Sequence, residues 1–166
     1  MFKKILVPLD GSKSSKKALE LAVSLARRFS GGLVLFHAEE LVYYGAPVPD
    51  YMGWSSSLTG ETMKALHERG NKVLEEAKTV AAKEVPSVET RLVIGSPAAA
   101  ICAAAEKESC DLIVMGSRGL SDVKGMFLGS VSHAVLQRSK CPVLLIKESS
   151  AVEDAPEKSA SASSKY

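Results

Sequence analysis

The chain is predicted to be an α/β protein built on a single open, parallel five-stranded sheet in the order 3-2-1-4-5, a Rossmann-like arrangement with helices on both faces. Three observations lead there. Short apolar runs rich in β-branched residues alternate with segments whose apolar positions recur at helical spacing. The alternation β-α-β-α-β-α-β-α-β implies parallel strands, because right-handed crossovers lay each helix over the sheet. The third run, Val88–Ile94, interleaves Glu89 and Arg91 with Val88, Thr90 and Leu92, as a strand with one wetter face does, and so belongs at an edge. With that strand outermost, the first and fourth become neighbours where the winding reverses.

Taken in order, Ile5–Leu9 reads as a buried strand ending in a turn at Pro8, Asp10 and Gly11. Beyond the serines at 12, 14 and 15, Ala18, Ala22, Leu25 and Phe29 mark a helical stripe widened by Leu19 and Ala26, and Gly31-Gly32 stops it. Leu33–Phe36 is the second strand, with His37 and Ala38 at its carboxyl end. A second helix shows Met63, Leu66, Gly70, Val73, Ala77 and Val80 on one face, runs to Glu84 and is closed by Pro86. Ser96-Pro97 opens a third, Ser accepting an amide hydrogen bond as N-cap and Pro preset for the first helical position. This Ala-rich helix ends near Lys107. Leu112–Met115 and Val143–Ile146 are the last two strands, separated by a glycine-rich loop and a helix beginning near Ser130.

One domain over residues 1–147 accounts for these elements, as expected for a chain of 166 residues. Two segments stand outside its core. Residues 39–58 are longer than an ordinary connection and gather Tyr43, Tyr44, Tyr51 and Trp54, the composition of a flap or surface loop. Residues 148–166 turn to Ser, Ala, Glu and Lys and are expected to be a disordered tail. The formal charge of +2 is dispersed among acidic residues instead of forming a basic stripe, which argues against nucleic acid as a partner. The apolar runs fall far short of the ~20 residues a membrane span needs, so a cytoplasmic location is expected. Cys102, Cys110 and Cys141 have neither C-x-x-C spacing nor a histidine pair, and read as core thiols.

Open α/β sheets bind ligands outside the carboxyl ends of the strands at the switch point, which here means Asp10-Gly11 and Gly116. At that point the sequence reads Gly116-Ser117-Arg118-Gly119, nine residues, then Gly129-Ser130-Val131-Ser132. Glycines permit positive φ and bring backbone amides up to an anion with no Cβ in the way. A helix starting at Ser130 adds free amides and its dipole. Gly116, Ser117 and Gly119 would form one wall of a phosphate cradle, and Gly129, Ser130 and Ser132 the other. A long turn is the alternative reading of the same glycines. Asp10 either caps its turn or accepts hydrogen bonds from a nucleoside, with backbone groups at Pro8, Leu9, His37 and Ala38 edging the base. Arg118 turns either to phosphate or to solvent. His37 reads as a strand-end packing residue, since no acid partner is apparent near it in the sequence.

The opening ILVPLDGS, the strand-end GSRG, the pattern Gly116-x2-Gly119-x9-Gly129-Ser130 and the closing CPVLLI carry a resemblance. From the first strand to the fifth, the chain resembles the universal stress protein family, and through its glycine pattern the ATP-binding subgroup. The resemblance implies an adenine nucleotide alpha hydrolase-like fold. It places Pro8, Leu9, Asp10 and Ala38 around an adenosine, and Gly116, Gly119, Gly129, Ser130 and Val131 around ribose and phosphates, with His37 and Met115 more loosely beside them. It further implies ATP, or AMP or ADP, together with Mg2+, a homodimer paired through Val143–Ile146, and a nucleotide-dependent stress-response or signalling module. A weak ATPase or nucleotidyl-transfer enzyme using the same cradle is the competing reading. The H-x-G-H signature of related transferases is absent, since Pro8-Leu9-Asp10-Gly11 stands in its place. The P-loop, dinucleotide-turn and nucleophile-elbow patterns are missing as well, so hydrolysis is expected to be slow at most.

Overall fold

The computed structural model describes residues 2–40, 55–120 and 128–147. Strands and helices alternate as β1 (Lys4–Pro8), α1 (Lys13–Phe29), β2 (Gly32–Glu39), α2 (Ser55–Ala81), β3 (Val88–Ile94), α3 (Pro97–Lys107), β4 (Leu112–Gly116), α4 (Ser130–Arg138) and β5 (Val143–Ile146). The sheet is parallel throughout, in the order β3-β2-β1-β4-β5, as the sequence predicts.

Alternation along the strands divides the core into two layers. Ile5, Val7, Leu33, Leu35, Leu112 and Val114 face α1 and α2, while Leu6, Val34, Phe36, Ile113 and Met115 face α3 and α4. Two helices per face follow from the winding: crossovers from β1 to β3 step one way along the sheet and those from β3 to β5 step back. Helix α1 buries Ala18, Leu19, Ala22, Val23 and Ala26. It starts at Ser12, whose side chain accepts the Ser15 amide, and ends at Ser30 in the left-handed region.

Some expectations shift in detail. The buried stripe of α2 is Gly70, Leu74, Ala77 and Ala81, whereas Val73 is half-buried and Val80 is exposed; the spacing of four and three selects the longer Leu74 for the core. Ser96 caps α3 by position alone, its side chain making no cap hydrogen bond. Glu39 belongs to β2 and residues 55–58 to α2, so the segment read as an insertion over 39–58 is shorter. Its aromatic residues, Tyr43, Tyr44, Tyr51 and Trp54, and the tail from 148 lie outside the described residues.

The two edges differ in chemistry. On β3, Glu89 and Arg91 are joined with Glu108 and with Lys4 of β1 in a chain of ion pairs, Arg91 Nε lying 2.8 Å from Glu108 Oε1. On β5, by contrast, Val143, Leu144, Leu145 and Ile146 form an apolar run with Leu144 exposed. Of the three cysteines read as core thiols, Cys110 is buried while Cys102 and Cys141 are half-buried; burial pushes the Cys110 thiol up to about 11 and raises those of the other two.

Candidate functional site

The register explains why a cleft opens at the switch point. Pairing between β1 and β2 continues to Pro8↔Phe36, but the β1–β4 ladder ends at Leu6↔Ile113 although β4 runs on to Gly116. The two central strands therefore part at their carboxyl ends. The resulting crevice has a cavity volume of about 120 Å3, less than the ~300–1,000 Å3 of a typical small-molecule pocket, and opens to solvent at its mouth.

Each of Pro8, Leu9, Asp10, Ala38, Met115, Gly116, Arg118, Gly119, Gly129, Ser130, Val131 and Ser132 lines this crevice. Three further residues complete it: Ser15 from the first turn of α1, Phe36 beside Ala38 on the same face of β2, and Ile101 from α3. Phe36 was legible from strand alternation, which puts residues 36 and 38 together and turns residue 37 away. Ser15 and Ile101 come from helices whose placement over the crevice leaves no local mark in the sequence. The floor is thus apolar, and the polar groups gather at the turn and loop ends.

The loop after β4 is fastened by the protein itself. Ser132 Oγ donates to the Gly116 carbonyl at 2.9 Å, the Gly129 amide donates to the Ser117 carbonyl at 2.8 Å, and Ser14 Oγ donates to the Arg118 carbonyl. The Ser117 amide in turn donates to the Ile146 carbonyl at 2.8 Å. Three successive carbonyls, those of Gly116, Ser117 and Arg118, are thus engaged within the protein. Ser132, 3% exposed, spends its hydrogen on this bracing. Ser117 is also buried and does not line the crevice, and its amide and carbonyl are both engaged within the protein, so it does not form the cradle wall expected of it. Ser130 is exposed at the first residue of α4.

The glycines act through size, not through unusual dihedrals. Among the described residues, the glycines with left-handed φ are Gly11 and Gly95, so Gly116, Gly119 and Gly129 do not use the positive φ expected of them. A Cβ on Gly116 would strike Ser14, meeting its Cβ at 2.9 Å. One on Gly119 would lie 2.7 Å from Asp10 Oδ2, whereas the nearest atoms to one on Gly129 are at 3.4 Å. Asp10 fills both roles considered for it. Its Oδ1 accepts the Ser12 amide at 2.9 Å and closes the turn, while the residue borders the crevice opposite Gly119.

His37 departs from the sequence reading. Its side chain lies on the α1/α2 side of the sheet and has an acid partner two residues away: Nε2 sits 3.0 Å from Glu39 Oε1. Glu39 is buried and is gripped by Arg69 of α2, with Nε donating to Oε1 at 2.7 Å and Nη2 to Oε2 at 2.6 Å. Burial pushes the Glu39 carboxyl up, but Arg69 and His37 together outweigh it and leave the carboxyl below its ordinary range. The His37 Nδ1 is 2.6 Å from the Leu9 carbonyl, so this cluster reaches the edge of the crevice from behind.

Known proteins share this architecture. The model of the "Universal stress protein family" matches residues 1–147. A universal stress protein of Thermus aquaticus, described as lying in the QAH/OAS sulfhydrylase 3' region, is 43% identical over 147 residues, covering 89% of this chain and all of its own length. Among solved structures, protein MJ0577 of Methanocaldococcus jannaschii superposes with a TM-score of 0.78 at 28% identity, over 90% of this chain and 98% of that one. A universal stress protein in complex with cAMP gives a TM-score of 0.64 at 29% identity, over 89% and 98%. With a family match spanning every described element and a relative 43% identical over its whole length, the chain belongs to the universal stress protein family.

Proposed function

We propose that the chain binds an adenine nucleotide, ATP in the first instance, in the crevice between the Asp10 turn and the Gly116–Ser132 loops, and acts as a nucleotide-dependent stress-response or signalling module. One observation carries the reading: β1 and β4 part at the switch point, and the residues that meet there pair an apolar slot with a braced glycine loop and a helix start. Phe36, Ala38, Ile101 and Met115 offer a surface for a base, Asp10 offers an acceptor for sugar hydroxyls, and the α4 amino terminus favours phosphate. The cAMP complex of a similar protein supports the adenine part.

Among the described residues no cluster of three His, Cys, Asp or Glu side chains is placed to hold a metal. Mg2+ is proposed to enter with the triphosphate, and among the described residues Asp10 is the one carboxylate on the crevice wall. Among the described residues no His, Glu or Lys lines the crevice, so any hydrolysis is expected to be slow. The test is direct. Nucleotide released from freshly purified, denatured protein is identified by mass, and ATP, AMP and cAMP are titrated calorimetrically; failure of all three to bind overturns the reading.

The apolar β5 edge supports a second part of the proposal, a homodimer paired through Val143–Ile146, since an unpaired apolar edge is a template for strand addition. The Pro142 and Ile146 carbonyls accept from β4, so alternation turns the Leu144 amide in towards β4 and the Leu145 amide out, and Leu145→Pro removes a donor from the free edge. Light scattering is expected to report a dimer for the parent chain and a monomer for this variant. A folded, dimeric variant would place the interface elsewhere. Among the described residues no helix is long and apolar enough to cross a membrane, and we assign the module to the cytoplasm.

A further inference from the structure

The cluster behind the crevice has a hydrogen-bonding problem with one solution. His37 and Glu39 have side chains only 5% and 3% exposed, so water cannot resolve it. Nδ1 lies 2.6 Å from the Leu9 carbonyl, which can only accept, and therefore carries a hydrogen. In a neutral ring Nε2 is then a lone pair 3.0 Å from a carboxylate oxygen, a buried atom with no hydrogen-bond partner. Moving the hydrogen to Nε2 transfers the same conflict to the Leu9 carbonyl. Placing the second proton on Glu39 is opposed by the Arg69 guanidinium, which spans both carboxylate oxygens.

We infer that His37 is held as an imidazolium between Leu9 and Glu39, and that this clamp positions the Leu9–Asp10 peptide at the nucleoside end of the crevice. The role rests on the nucleotide reading given above; the protonation state does not. The groups around the ring favour the charge except the Arg69 cation, which is paired through both oxygens of Glu39. Strand β1 presents a carbonyl, β2 the Glu39 carboxylate, α2 the Arg69 guanidinium, and β3 only the apolar Leu92 paired with His37. Contact is tight enough that a Cβ on Gly70 of α2 would lie 2.9 Å from His37 Cδ2, which keeps the ring from swinging out.

Leu9 is where that grip matters. Its amide still donates to the Phe36 carbonyl at 2.8 Å, but β1 has ended at Pro8 and the Leu9 carbonyl belongs to the peptide that leads into Asp10. Fixing that carbonyl fixes the peptide plane from which the Asp10 side chain projects into the crevice. His37 is thus a positioning residue, acting on the ligand through Leu9 and Asp10 without touching it. Arg69, with 67% of its side chain exposed, extends the chain of bonds from the crevice to the surface of α2.

The experiment has two arms on the full-length chain. In the first, two-bond 15N–1H correlations of the His37 ring are recorded in neutral buffer without nucleotide; the clamp requires both nitrogens protonated, and a single protonated nitrogen overturns it. In the second, ATP is titrated into the parent chain, His37→Phe and Glu39→Gln, with folding checked by thermal melts. Loss of the charge-assisted bond to Leu9 is expected to weaken ATP about tenfold in His37→Phe. Glu39→Gln leaves the Nδ1 bond in place, so it should lose less affinity and return the ring to one proton. A melting temperature that falls while ATP affinity holds in both variants makes the cluster structural and overturns the positioning role, with the nucleotide reading intact. A parent chain that takes up no ATP removes the nucleotide reading and this role with it, while the imidazole spectrum still decides the clamp.

Discussion

Gly116 and Gly129 look interchangeable in the sequence, yet the wall after β4 is packed into the protein while the wall that opens α4 stands clear of it. At Gly116 the missing Cβ is space that Ser14 already occupies, and the adjoining carbonyls are taken by Ser132, Gly129 and Ser14. At Gly129 a methyl group meets nothing closer than 3.4 Å, and the backbone, at φ −72° and ψ 154°, suits any residue. Gly119 is intermediate, since what stands before it is the end of the Asp10 side chain. One glycine pattern therefore contains two constraints: internal packing at its start and, on the proposed nucleotide reading, approach of a ligand at its end.

Substitutions at the three positions separate these constraints. Gly116→Ala is expected to have the largest effect, because Ser14 sits in the first turn of α1 and cannot yield without moving the helix. Overpacking of this kind costs about 1–3 kcal/mol, to be read from chemical denaturation. Stability equal to the parent chain would break the comparison. Gly119→Val is expected to fold normally and to lose most ATP affinity by displacing the Asp10 carboxylate from the crevice wall; calorimetry on the folded variant decides. Gly129→Ala sharpens the contrast most cleanly. It should match or exceed parent stability, by about 0.4–1 kcal/mol through reduced freedom of the unfolded chain, and still weaken ATP several-fold if phosphate lies against that backbone. Unchanged ATP binding there would move the phosphates away from α4.

The fold was legible because its signals are local: β-branched runs, helical periods, and Gly or Pro at most boundaries. Strand order needed one more step, the charged residues Glu89 and Arg91 that marked β3 as an edge. The crevice followed from topology, whereas Met115 and Val131, with no chemistry of their own, were named only through the family resemblance. Long-range contacts were hidden. Nothing near Ser14 announces that it braces Arg118, 104 residues away, and nothing near Glu39 announces Arg69, 30 residues on. The phase of α2 was misjudged because Val73 and Leu74 are both apolar, and only packing against β2 and β3 chooses between them.

Strand β1 is made first but completed late. Its β2 side can be filled by the next stretch of chain, whereas its other side waits for β4 and the Leu6, Val34 and Phe36 face waits for α3 and α4. During synthesis that face stays bare until most of the chain exists, and contacts across such separations form slowly because the loop entropy comes first. The crevice borders this same junction, drawing one rim from β1 and the other from β4 and α4. A ligand seated there would stabilise only the finished molecule, so occupancy would report that the first and last parts of the chain have found each other.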